Sequence, residues 1–122
     1  MCVRKPLLVL GGTTAAAATL LTFPAAADPS HDGDPDRGRA LYEKTCVRCH
    51  GADGTGVFAA VPDFTDRDGP LAQSDEVLHQ HIKHGFRSPG AFMVMPAKGG
   101  NAALDDADIA DIIAYLRRFP TR

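Results

Sequence analysis

The stretch "CVRCHG", Cys46 to Gly51, is the least ordinary part of the chain. Two cysteines stand three apart, and a histidine follows the second at once. A structural zinc site needs four ligands, usually as two separated pairs. Here there is one cysteine pair. The only other cluster of histidines is His79, His81 and His84 in "HQHIKH", so a site of Cys46, Cys49 and two of these is conceivable. A thioredoxin-like dithiol wants a βαβ context, and no run of the chain alternates like a strand. A plain disulfide between the two cysteines closes a tiny loop and contributes little.

The remaining reading is covalent haem attachment, for which C-x-x-C-H is the signature. Residues three apart lie on one side of a helical turn. Their two sulfurs can each add to one of the two vinyl groups along a haem edge. The histidine after the second cysteine is thereby carried under the ring, where a nitrogen can bind iron.

Working outward, the first thirty residues do not read as part of a domain. Arg4 and Lys5, an uncharged run from Pro6, and "AAA" at Ala25–Ala27 have the layout of a secretory signal peptide over residues 1–27. The competing reading is an uncleaved membrane anchor, since 7–23 is nearly long enough to span. The small-residue exit and Pro24 favour cleavage, after which no membrane span is expected. Export suits covalent haem, which is attached outside the cytoplasm. Removing residues 1–27 takes net charge from −2 to −4, which argues against nucleic-acid binding. A domain this small buries only about 60–65% of its unfolded surface. With no tryptophan, it needs apolar bulk from elsewhere, which a haem supplies.

Residues 28–35, "DPSHDGDP", hold turn formers and acids and read as a flexible leader, with the domain over 36–122. Asp34-Pro35 signals a helix start, and "DRGRALYEKTCVRC" can continue as helix with Gly38, Leu41, Tyr42 and Thr45 on one side. "HGADGTGVFAAVPDFTDRDGP" is loop, with Phe58 and Phe64 as anchors. "SDEVLHQHIKHG" is a short helix capped by Ser74 and stopped by Gly85. After a second loop, "LDDADIADIIAYLRRFP" is the clearest helix. Asp105 caps it, Leu104 staples onto Ile109, and Ile109, Ile112, Ile113 and Leu116 make its apolar face. The aspartates from Asp105 to Asp111 read as helix-start residues and partly solvated face. The three histidines read as solvated side chains. The expectation is an all-α fold of three to four short helices, with long loops wrapped around a group that fills the centre.

Gly38, Tyr42, "CVRCHG", "PDF" at Pro62–Phe64, "MP" at Met95-Pro96 and the final "IADIIAYL" resemble a bacterial class I, monohaem c-type cytochrome. The resemblance covers roughly Asp34 to Phe119. It implies one haem c held by Cys46 and Cys49, with His50 as an iron ligand. It implies that the first and last helices cross closely at Gly38 and Tyr115. It also implies that the Pro62 carbonyl accepts the other ring N–H of His50, fixing the tautomer.

For the second iron ligand the resemblance favours Met95, which precedes a proline; thioether ligation raises the potential. Met93 is the alternative, and its separation of two residues is expected to aim it differently along an extended segment. His84 is a more distant option. The implied function is a periplasmic electron carrier. A haem subunit of a larger dehydrogenase or oxidase, or a haem enzyme or gas sensor if the methionine does not bind, are the competing readings. No acid occurs from Val77 to Leu104, which holds Lys83, Arg87 and Lys98. A basic rim for a redox protein partner is therefore expected beside the haem edge.

Overall fold

Asp34 begins the first helix. Its carboxylate accepts the backbone N–H groups of Asp36 and Arg37, and Pro35 takes the first helical position, where no N–H is needed. The structure is a computed structural model that describes residues 32–122. The expected signal peptide and the start of the leader lie outside the described residues. Four α-helices follow in order: α1 (Pro35–Thr45), α2 (Val47–His50), α3 (Asp75–His84) and α4 (Asp106–Leu116). Short 3₁₀ turns at Pro70–Ala72 and Ala97–Gly100 punctuate the loops. Among the described residues the sole β-type pairing is an isolated antiparallel bridge between Phe86 and Met95. The architecture is all-α, as expected.

The helix expected to run unbroken through the second cysteine is instead two pieces. α1 ends at Thr45, and Cys46 separates it from the single turn α2. The hydrogen bonds nonetheless carry across: Cys46 N–H donates to Tyr42, and His50 N–H donates to Cys46. The motif thus forms its own turn, braced on α1.

α1 and α4 cross where Gly38 has no side chain to hold them apart. A Cβ there would overlap the Asp111 carbonyl and lie 3.0 Å from the Ile112 nitrogen. One turn further along, Tyr42 and Tyr115 pack ring against ring with centroids 5.3 Å apart, and Phe119 joins them. The two roles expected at Gly38 and Tyr115 are therefore both filled at this crossing. Tyr42, Ile109 and Ile112 are fully buried. Burial of each such side chain contributes about 1.5–3 kcal/mol. Leu104 and Ile109 belong to the same buried cluster, as the staple reading requires.

Two expectations need correction. The end of the leader belongs to the fold: the Asp34 backbone N–H donates to Asp111 Oδ1 at 2.7 Å, and Gly33 lies against the Ala110 carbonyl. Asp108 and Asp111 are buried, not partly solvated. The Arg37 guanidinium on α1 reaches both, Nη2 to Asp108 and Nη1 to Asp111. They are three apart on α4 and so share a face. Asp108 also completes a capping box with Asp105. The signal was present in the sequence as two acids at helical spacing on an otherwise apolar face.

Candidate haem site

The turn α2 and the loop after it set the proximal wall. Gly54 makes that loop possible. Its φ is +74°, and a Cβ would press on the Phe64 and Phe119 side chains at 3.2 and 3.1 Å. Its carbonyl accepts the Phe64 N–H at 2.7 Å. Asp63 fixes the same turn by accepting from the Thr65 N–H and hydroxyl. Phe64 is thereby held flat on the His50 imidazole, with centroids 4.4 Å apart and planes 12° apart. Phe64 is the anchor that the sequence suggested; Phe58, half exposed at 51%, is not. Tyr42 ties α1 to this wall by donating its hydroxyl to the Gly51 carbonyl at 2.7 Å.

Between this wall and the loop carrying the methionines is a cavity of about 600 Å³. That volume lies within the range of small-molecule sites, about 300–1,000 Å³. Cys46, Cys49, His50, Pro62, Met93 and Met95 all line it. Leu71, Leu78, Ile82, Ile112 and Leu116 make much of its apolar surface. His84 is exposed and is not part of the lining. Among the described residues, no three His, Cys, Asp or Glu side chains gather to hold a metal ion on their own.

The donor chemistry fits a covalently held haem. Burial depresses the His50 imidazole to about 4, so the ring is neutral at neutral pH and has a lone pair to give. Burial, and then the neighbouring Cys49, push the Cys46 thiol up to about 11. His50 Nδ1 is buried and has no hydrogen-bond partner. Such an orphaned group is costly and calls for an explanation. The Pro62 carbonyl expected to accept from it does not do so here. The ring is positioned by Phe64 stacking instead, a contact that spacing alone does not reveal.

The methionine segment is also better ordered than expected. Phe86 and Met95 exchange backbone hydrogen bonds at 3.0 and 2.9 Å. Exposure then alternates: Phe92 and Val94 are exposed, while Met93 and Met95 are half-buried, although Val94 also lines the cavity. In extended chain, residues two apart share a face. Both methionines line the one cavity, contrary to the expectation that their spacing aims them differently.

Two surface expectations also change. His81 is not a free solvated group: it lines the cavity and stacks on Phe86 at 3.8 Å. Lys83 is not a free rim cation: its Nζ lies 2.8 Å from Asp106 Oδ1. The acid-free window ends at Leu104, but α3 and α4 pack side by side and bring the first turn of α4 back onto Lys83. The ammonium's hydrogen bond holds the Asp106 carboxyl below the usual carboxylate range.

Four helices among the described residues, wrapped around an apolar cavity with a Cys-x-x-Cys-His turn in its wall, define the class of c-type cytochromes. Comparison with known proteins agrees. The profile of the family described as "Cytochrome C oxidase, cbb3-type, subunit III" matches residues 33–116. The chain is 35% identical over 86 residues to cytochrome c-555 of Chlorobaculum tepidum, covering 68% of this chain and 74% of that protein. It is 34% identical over 84 residues to the cbb3-type cytochrome c oxidase subunit CcoP of Rhodobacter capsulatus, covering 65% of this chain and 28% of that one. The crystal structure of cytochrome cL from Hyphomicrobium denitrificans superposes with a TM-score of 0.54 at 25% identity, over 70% of this chain and 47% of that one. The chain thus spans about half the length of that solved relative. It belongs to the matched family and is a c-type cytochrome. Its cofactor is covalently bound haem c, and it is an electron-transfer protein rather than an enzyme.

Proposed function

We propose that Cys46 and Cys49 hold the haem through thioether bonds, and that His50 and Met95 are its axial ligands in a periplasmic electron carrier. The observation that carries this reading is the convergence of all four side chains on one apolar cavity. The bound group supplies a one-electron iron couple. The chain's own residues do the rest. The neutral His50 imidazole and the Met95 thioether would be the two side chains to hold the iron, and thioether donation would favour a higher potential. Leu78, Ile82, Ile112 and Leu116 keep water from the centre. The backbone bridge to Phe86 fixes Met95, which packs against the core. Residues 1–27 direct export, and the domain follows the leader. Among the described residues no helix is long and apolar enough to cross a membrane.

A redox protein partner docks where the cavity opens. Phe86 and Val94 line the cavity and are exposed, and Phe92 and Arg87 are exposed on the same segment. With Lys83 neutralised by Asp106, apolar contact outweighs charge at this rim. The match to the CcoP subunit supports a second reading, in which the chain serves as the haem subunit of an oxidase or dehydrogenase assembly. Copurification from the native periplasm separates a free carrier from such a subunit.

Absorption spectroscopy tests the ligation. The ferric protein should show the weak red charge-transfer band of a thioether–iron bond, and the ferrous protein should not bind carbon monoxide. A wild type without that band, or one that takes carbon monoxide readily, would remove the methionine ligand from the scheme.

A further inference from the structure

We propose that Met93 is a reserve axial ligand, able to take the iron when Met95 is lost; this rests on the His50/Met95 reading. Apart from Met1, Met93 and Met95 are the only methionines in the chain, and both line the same cavity. They sit at the end of a flap that leaves the body at Phe86 and returns at Met95. Within the flap, the Ala91 N–H donates to the Ser88 carbonyl, and Arg87 Nη1 donates to the Ala91 carbonyl. On the return limb Phe92 and Val94 are exposed and both methionines are half-buried, and Val94 lines the cavity with them.

This geometry matters because strand register has a period of two. A slip by one residue would turn the inward face outward, whereas a slip by two restores it. Sliding the return limb by two residues against Phe86 brings Met93 to the place of Met95. The distance to be made up is about 6.6 Å along an extended chain. The thioether has three rotatable bonds with which to cover part of it. A methionine serving merely to fill space could be any apolar residue of similar size. A reserve ligand requires the sulfur, and that difference can be measured.

The test uses the haem-loaded protein and three variants: Met95→Leu, Met93→Leu, and the two combined. Each is read by the ferric charge-transfer band, by the ring-current-shifted methyl resonance of ¹³C-methyl methionine in the ferrous state, and by carbon monoxide titration. The proposal expects Met93→Leu to match the wild type. It expects Met95→Leu to keep a thioether band and one strongly shifted methionine methyl, at a new position. It expects the double variant to lose both signals and to bind carbon monoxide at least tenfold more tightly than Met95→Leu. Loss of the band in Met95→Leu, with carbon monoxide binding equal to that of the double variant, would overturn it. Met95→Ala is run in parallel, and the same criterion applies to whichever of the two folds. If Met93→Leu alone abolishes the wild-type band, Met93 is the primary ligand and the reserve role is refuted. A wild type without any thioether band refutes the His50/Met95 reading itself, before a variant is made.

Discussion

Gly38 of α1 rests directly on the Asp111 backbone of α4, and no side chain fits between them. The clash that a methyl group would cause is with backbone, which cannot swing aside. Gly38→Ala is therefore expected to lower unfolding free energy by about 3 kcal/mol, the upper end of the usual cost of overpacking. Denaturant titration of the haem-loaded protein checks this. A loss smaller than that of an ordinary surface substitution would show that the helices can separate without cost.

The same crossing is fastened by charge. Asp111 has a side chain only 1% exposed, and it receives the Arg37 guanidinium and the Asp34 backbone N–H. Removing the cation takes a charged hydrogen-bond donor away from a buried carboxylate. Because Arg37 is itself half exposed, Arg37→Met should cost about 2 kcal/mol, in the range of hydrogen bonds to charged groups. Arg37→Lys should recover little of it, because a single ammonium cannot serve Asp108 and Asp111 with the same fork. Equal stability of the lysine variant and the wild type would contradict this account.

The turn beneath His50 should respond to acid. Hydrogen bonds from the Thr65 hydroxyl and N–H hold the Asp63 carboxyl below the usual carboxylate range. A depressed carboxylate binds its proton less readily when folded than when unfolded. Its contribution is therefore complete above the ordinary value of about 3.9 and is lost as pH falls through the lower folded value. Asp63→Asn should be less stable than the wild type at neutral pH, and the gap should close in strong acid. A gap that is constant with pH would mean that the carboxylate's charge plays no part.

The docking rim should be governed by apolar contact. Phe92 is 80% exposed on the flap, and Lys83 is paired with Asp106. Phe92→Ser should slow electron exchange with the native partner several-fold and leave the haem spectrum unchanged. Reversing Lys83, Arg87 and Lys98 to glutamate should have the smaller effect, and wild-type rates should change little as salt is raised through physiological strength. A rate that falls steeply with salt and collapses on the triple reversal would restore the basic rim.

Much of this was readable from particular residues. The attachment turn needs its three side chains in fixed order, so Cys46, Cys49 and His50 stand out in one line of sequence. The helix ends were legible because caps are local: Asp34-Pro35, Ser74, Gly85 and Asp105 all act within a turn of themselves. What escaped was tertiary. Phe64 meets His50 across a loop whose path depends on Gly54, and no periodicity encodes that. Asp111 looked like a solvated acid because its partner lies 74 residues away. The acid-free window around Lys83 was real along the chain and disappeared in space, where α4 folds Asp106 back onto it. Met93 and Met95 line one cavity because the flap folds back at Phe86, a tertiary contact that their spacing does not encode.

The central claim is that haem is joined to Cys46 and Cys49, and denaturing peptide mass spectrometry of the exported protein tests it most directly. After acid-acetone extraction and proteolysis, the peptide containing Cys46 to His50 should carry the mass of one haem. Cys46→Ser and Cys49→Ser should each leave a single attachment, and the double variant none. A Cys46–His50 peptide of unmodified mass, with haem released into the acetone, would contradict the account.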